Sequence, residues 1–266
     1  MRRYVRWGLT ILLALMMFAL FYGPFFAWLP WTPGFTRIRT PDVHLLYRTG
    51  HPPLAEFATL PEAASEVERM LGLEFQSPAR ITLCSTWNDF DRFVPQRAGE
   101  RALGGVSLNY GDVVVITPRV RDRPDVMKFV LHELVHVLVY QHMGILERAS
   151  IHQFGWVVEG APIHFSDPAT FHTRAGFKTL AASLDIPTIV AGEGGLRTVP
   201  GGPPVAYSVY GYFTGYVRER FGDERFRAYM RAFVRDPGEH RETFGAIFGN
   251  ELTDAARDFQ NAVRSW

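Results

Sequence analysis

The 266 residues contain one cysteine, Cys84. That excludes an intrachain disulfide and any metal cage built from thiolates. A surplus of charge of either sign is also missing: 28 Lys and Arg stand against 27 Asp and Glu, and Arg2, Arg3 and Arg6 supply three of the cations at the start of the chain. The remainder offers no basic field to neutralise phosphates, so no nucleic-acid partner is expected. No repeat, low-complexity tract, G-x-S-x-G elbow, P-loop or complete G-x-G-x-x-G occurs. The serine-hydrolase and nucleotide-binding readings go with them. With 47% hydrophobic and 21% charged residues, the composition is that of a globular body, neither disordered nor polytopic.

Long hydrophobic runs are absent with one exception. From Trp7 to Trp31 no side chain is charged, and about 20 apolar residues suffice to cross a hydrocarbon core of about 30 Å. The run predicts a transmembrane signal-anchor over residues 7–31, with residues 1–6 as a basic cytoplasmic tail. The flanking arginines favour that orientation, which places residues 32–266 on the extracytoplasmic side and makes the lipid bilayer a partner. A cleaved secretory signal is the competing reading, and the bulky Phe25-Phe26-Ala27-Trp28-Leu29 stretch speaks against easy cleavage.

Beyond Pro33 the pattern predicts an α+β fold: a small sheet with helices over residues 32–122, then a mostly helical half over 123–266. Arg37–Thr40, Val43–Tyr47 and Ala79–Ser85 read as strands, and Leu60-Pro61 opens an amphipathic helix with Ala64, Val67, Met70 and Leu71 on one face. A short helix from Thr86 to Phe93 follows. Gly104–Pro118 reads as a hairpin turning at Asn109-Tyr110-Gly111-Asp112. Gly192–Pro204 has the composition of an irregular loop, either a lid or a surface connection.

Chemistry concentrates at His132-Glu133-Leu134-Val135-His136, an H-E-x-x-H pattern. It lies in a stretch with Pro124 near its start and Gly144 past its end, which are helix start and stop signals. Residues four apart share a helix face, so both imidazoles can converge on one metal ion. Glu133 is one residue round, placed to reach a water at the metal without being a ligand. Phe129, Val130, Leu131, Leu134, Val135, Val137, Leu138 and Val139 surround the triplet. The helix is therefore buried, and its polar groups need a partner. One zinc ion per chain is the simplest one. A third ligand comes from Glu159, in the apolar Trp156–Ala161 segment, or from His142 or His152. At His142, Val139 stands where a helix-breaking glycine would be needed to bring that histidine round.

The helix with His132, Glu133 and His136, the segment Trp156-x-x-Glu159-Gly160 and a later tyrosine-bearing helix together resemble the gluzincin zinc metallopeptidases, in particular peptidase-MA-like domains of zincin fold. The resemblance runs from about Pro41 to Phe233 by order of elements. Only His132–His136 and Trp156–Ala161 are specific. It implies zinc held by His132, His136 and Glu159, with Glu133 as general base for hydrolysis of a peptide or protein substrate. Tyr207 would steady the oxyanion, with Tyr210 as the alternative. The strand Val113–Thr117, if it lies at a sheet edge, would hold an extended substrate; it reads equally well as a central strand.

The chain departs from that pattern in two places. Pro162 falls just after Glu159-Gly160-Ala161, where the first turn of a helix tolerates it. Ile163 stands where the relatives carry an aspartate that orients a histidine, which leaves His164 and Asp167 as substitutes. These departures sustain a second reading, a catalytically inactive zinc-stabilised binding module of the same fold.

Overall fold

The computed structural model describes residues 2–22, 26–29, 32–99, 101, 104–108, 112–151, 154–192 and 198–266. Five strands form one mixed sheet in the order β1-β2-β3-β5-β4: β1 Phe35–Arg39, β2 Val43–Arg48, β3 Ala79–Leu83, β4 Gly105–Ser107 and β5 Val113–Ile116. β2, β3 and β5 run parallel, and β1 and β4 close the two edges antiparallel. Strand alternation divides the core. Val114 and Ile116 face the main cluster of helices, while Val113 and Val115 join Cys84, Phe90, Phe93, Val106 and Phe26 in a smaller cluster on the other face.

The helices begin and end where the local chemistry predicts. Helix α2 (Leu60–Leu71) has Pro61 in its first turn and stops at Gly72 in the left-handed region, φ 67°. Helix α3 (Trp87–Phe93) is opened by a reciprocal capping box between Thr86 and Asp89. Helix α4 (Val126–Gln141) is buried nearly all round, as its sequence requires. The hairpin turn expected at residues 109–112 lies mostly outside the described residues, as do His152 and residues 193–197 of the Gly192–Pro204 loop.

The membrane span expected over residues 7–31 is overturned. Among the described residues, no helix is long and apolar enough to cross a membrane. The N-terminal helix α1 runs from Arg2 to Tyr22, so its first turns are spent on the arginines. The uncharged part, Trp7–Tyr22, is 16 residues (22 − 7 + 1); at about 1.5 Å per residue it reaches ~24 Å, short of the ~30 Å core. Phe26–Trp28 then forms a 3-10 turn with Phe26 buried, its ring 4.9 Å from that of Phe93. Part of the apolar run therefore belongs to the globular core, and the bilayer contact expected of it loses its basis.

After α4 the chain is helical. Among the further helices are α5 (Ile145–Ser150), α6 (Gly155–Ser166), α7 (Arg174–Ala181), α8 (Ile186–Ala191) and α9 (Pro203–Phe221). Three more close the fold: α10 (Asp223–Phe233), α11 (His240–Phe248) and α12 (Leu252–Arg264). Helices α6 and α9 pack against each other through glycines. A Cβ on Gly160 would stand 2.8 Å from the Tyr210 carbonyl oxygen, and one on Gly211 would stand 2.5 Å from Ile163 Cγ2. Trp156 pins the start of α6, stacked on Tyr229 at 5.6 Å and edge-on to Phe213 at 5.1 Å. Pro162 lies in the interior of α6, not its first turn, and removes the N–H that would bond the Val158 carbonyl.

Because the oxygen opposing Gly160 is main chain, it cannot swing aside. Gly160→Ala is expected to destabilise the fold by about 1–3 kcal/mol through overpacking, despite an offsetting helix-propensity gain of about 1 kcal/mol. A fall in the urea midpoint at unchanged slope checks this; an unchanged midpoint would show slack between α6 and α9.

Candidate metal centre

Helix α4 presents His132 and His136 one turn apart, and the glycine-seated helix α6 brings Glu159 across to them. The two Nε2 atoms are 3.2 Å apart, and one oxygen of Glu159, Oε2, stands 3.6 Å from each. All three ligand atoms lie within 4.8 Å of one another. Four ligands held tetrahedrally at about 2.0–2.1 Å are separated by roughly 3.3–3.4 Å. The triangle thus has the dimensions of one face of such a tetrahedron, and two imidazoles with a carboxylate are the donor set of a zinc site with an open fourth position. The residues fit zinc.

Electrostatics link the three groups. Burial alone would raise the Glu159 carboxyl, but His136 and His132 outweigh it and hold the group well below the usual carboxylate range. Burial would likewise lower His136, and the Glu159 charge, aided by Glu133, raises it instead. The two histidines thus favour the ionised form of the carboxyl, the form a metal ligand needs.

The group lies in a cleft of about 700 Å³. One wall is β4 and the residue before it, where close approach requires glycine: a Cβ on Gly105 would stand 2.9 Å from Glu133 Cγ, and one on Gly104 would run into the Phe129 ring. Glu133 is itself buried, pressed between α4 and that strand. The sequence left Val113–Thr117 open as a substrate-binding edge or a central strand, and the structure makes it central. Those strand residues are wholly buried, with β3 on one side and β4 on the other. The edge beside the cleft is β4.

Tyr207, on α9, is on the cleft wall with its ring 5.4 Å from Phe171, and burial followed by the charges of Glu159 and Glu133 pushes its phenol up. Tyr210 is in the core and donates to the Ile189 carbonyl at 3.3 Å. His142 bonds the Glu74 carbonyl at 2.7 Å, tying down the end of α4. The substitutes for the missing aspartate do not take its place. His164 turns into a second cavity, of about 440 Å³, and Asp167 accepts from Lys128 at 2.6 Å. Sequence reasoning missed Tyr140, which lines the cleft with its ring stacked on His136 at 5.8 Å. Its position four residues past His136 was the available signal.

No protein-family model matches the sequence, and no curated protein matches it. Among solved structures the fold is similar to M1 zinc metallopeptidases. One is a two-domain M1 zinc metallopeptidase, a glutamate-to-alanine mutant bound to L-arginine, at 14% identity and a TM-score of 0.55. Another is an M1 zinc metallopeptidase from Deinococcus radiodurans, also a glutamate-to-alanine mutant, bound to a Tyr-Ser-Ala substrate, at 14% identity and a TM-score of 0.53. Each alignment covers 85% of this chain and 51% of the other, so this chain spans about half the length of the structures it matches. The likeness is one of fold.

Elemental mass spectrometry of the purified chain should find about one zinc per chain. Removing one of three ligands by Glu159→Ala or His132→Ala should weaken binding more than the roughly 10–100-fold that outer contacts cost, while His142→Ala leaves it unchanged. Equal zinc in all three variants would sink the three-ligand site. A pH dependence follows from His164 and His240, each pushed down to about 4, first by burial and then by Arg218 and Arg241 respectively. The unfolded chain takes up these protons near pH ~6.5, before the folded one does. The contribution of these two histidines to stability is therefore fully present above that value and is lost as the pH drops toward 4. His164→Gln should flatten this limb in urea melts; an unaltered limb would assign it elsewhere.

Proposed function

We propose that this chain is a zinc-dependent peptidase that hydrolyses peptide bonds with Glu133 as its general base. The observation that supports the reading best is the conjunction in one cleft of a zinc-sized His132–His136–Glu159 triangle and a buried carboxylate, Glu133, that belongs to none of the triangle's corners. A purely structural site closes its fourth position with another side chain and has no use for such a group.

Zinc, when bound, supplies a Lewis acid that acidifies water and polarises a carbonyl. The rest of the chemistry falls to the chain's own residues. Glu133, fixed between α4 and Gly105, accepts the proton of the attacking water and passes it to the leaving nitrogen. Tyr207, whose phenol stays protonated, donates to the developing oxyanion from α9.

The substrate lies along β4. Leu108 N–H donates to the Val113 carbonyl at 2.9 Å and Thr117 N–H to the Gly104 carbonyl at 3.1 Å. By antiparallel alternation, the main-chain groups of Gly105 and Ser107 point away from β5 and toward the outer edge. An extended peptide can add there as a further strand.

Glu133→Gln should abolish turnover of a peptide substrate, by at least the 10²–10⁴-fold attributed to a general base, with zinc content intact. Tyr207→Phe should lower kcat about 10²–10³-fold, as for loss of one oxyanion donor, with KM nearly unchanged. Full activity in the Glu133→Gln variant would remove the catalytic assignment and leave the zinc-stabilised binding module.

A further inference from the structure

Tyr140 lies on the metal helix and on the cleft wall, one turn past His136, and its ring stacks on that histidine. Its ring lies nearly parallel to that of His136, at 20°, with 5.8 Å between centroids. His136 is in turn edge-on to His132 at 4.9 Å. The three rings form a row along α4, with Tyr140 at its far end. Only 3% of Tyr140 is exposed, so the ring cannot leave the stack without opening the core.

The opposite wall runs beside this row in the same sense. Gly104 is against Phe129, Gly105 against Glu133, and Ser107, at the end of β4, meets the Tyr140 hydroxyl through its side chain. Val106, between them, points to the other face of the sheet and joins the smaller core. β4 thus lies against α4 at two places. At Gly105 the contact is steric and excludes a Cβ. At Ser107 it is polar and made by Tyr140.

We infer that Tyr140 is a positioning residue for the metal centre and the substrate strand together. Its ring fixes the plane in which His136 offers Nε2 to the metal, and its hydroxyl, engaging Ser107, holds the end of β4 level with the metal group. This deepens the peptidase reading and rests on it for the substrate strand. The ring's part in zinc binding depends only on the ligand set.

The test uses the full chain with three single variants, Tyr140→Phe, Tyr140→Leu and Ser107→Ala, and the double variant Tyr140→Phe/Ser107→Ala. Zinc affinity is measured by competition with a chromophoric chelator, amide exchange over residues 104–108 by mass spectrometry, and kcat and KM on a peptide substrate. Tyr140→Leu, which removes the stack, should weaken zinc roughly 10–100-fold, as other contacts that orient a ligand do. Tyr140→Phe keeps the ring and should hold zinc within about twofold, a change below ~0.5 kcal/mol. It should also speed exchange in β4 and raise KM several-fold, with kcat little changed. Ser107→Ala should reproduce the Tyr140→Phe effects, and the double variant should exceed neither single one.

Wild-type zinc affinity in a folded Tyr140→Leu protein overturns the ring's role. Unchanged exchange in Tyr140→Phe, or multiplying effects in the double variant, overturns the hydroxyl's role. If Tyr140→Leu does not fold, a Tyr140→Phe protein with wild-type exchange and KM still overturns the strand contact. A wild type that binds zinc but cleaves no peptide defeats the peptidase reading alone, because affinity and exchange still decide the role of Tyr140. A wild type that binds no zinc defeats both.

Discussion

Burial of ionisable groups inside an apolar helix is the constraint on which the rest of this structure depends. Helix α4 is packed on nearly every side, yet carries His132, Glu133 and His136 within one and a half turns. Desolvating such groups singly would cost several kcal/mol each. Glu159 meets part of that cost by facing both imidazoles, and the three groups are close enough together that one metal ion would meet the remainder. The same low-polarity surroundings make every charge in the cleft felt by its neighbours. The phenols of Tyr140 and Tyr207 are both raised, by burial first and by Glu159 and Glu133 after it.

Meeting the constraint requires backbones to come close, and glycine is how this chain does it. Gly160 and Gly211 let α6 settle onto α9, and with that Glu159 reaches its place over α4. Gly105 lets the sheet edge lie against Glu133. Gly160 sits beside Glu159 on the same helix, whereas Gly211 and Gly105 lie on the elements that α6 and Glu133 approach. The metal centre is therefore a product of three interfaces, not of the H-E-x-x-H helix alone.

Much of the fold was legible in the sequence because its signals are local. The amphipathic face of α2, the short helix after Thr86 and the all-round apolar character of α4 each depend on neighbours within a few residues. The pairing of His132 with His136 was legible for the same reason, since four residues make one helical turn. What failed depended on tertiary context. The apolar N-terminal run gave no sign that Phe26 would be spent on the core beside Phe93. Val113–Thr117 reads alike at an edge or in an interior, and only the place of β4 decides between them. Pro162 could be placed in a first turn only by assuming where α6 begins; the helix starts earlier, at Gly155, because Trp156 is anchored in the aromatic core. His164 and Asp167 were reasonable stand-ins by spacing, but spacing does not say that one turns toward Arg218 and the other toward Lys128.

The brevity of β4 has a consequence of its own. A sheet edge left open for another strand is ordinarily a hazard, since it will accept any extended chain, including a further copy of the same protein. Here the strand spans only Gly105–Ser107, with the outward main-chain groups of two residues, and it is recessed in a cleft beside α4. Two residues' worth of pairing is too little to template a growing stack of subunits. One short unstructured segment inserted into the groove can still be gripped. This edge is too short for self-association, unlike the five-residue β1 at the other side of the sheet.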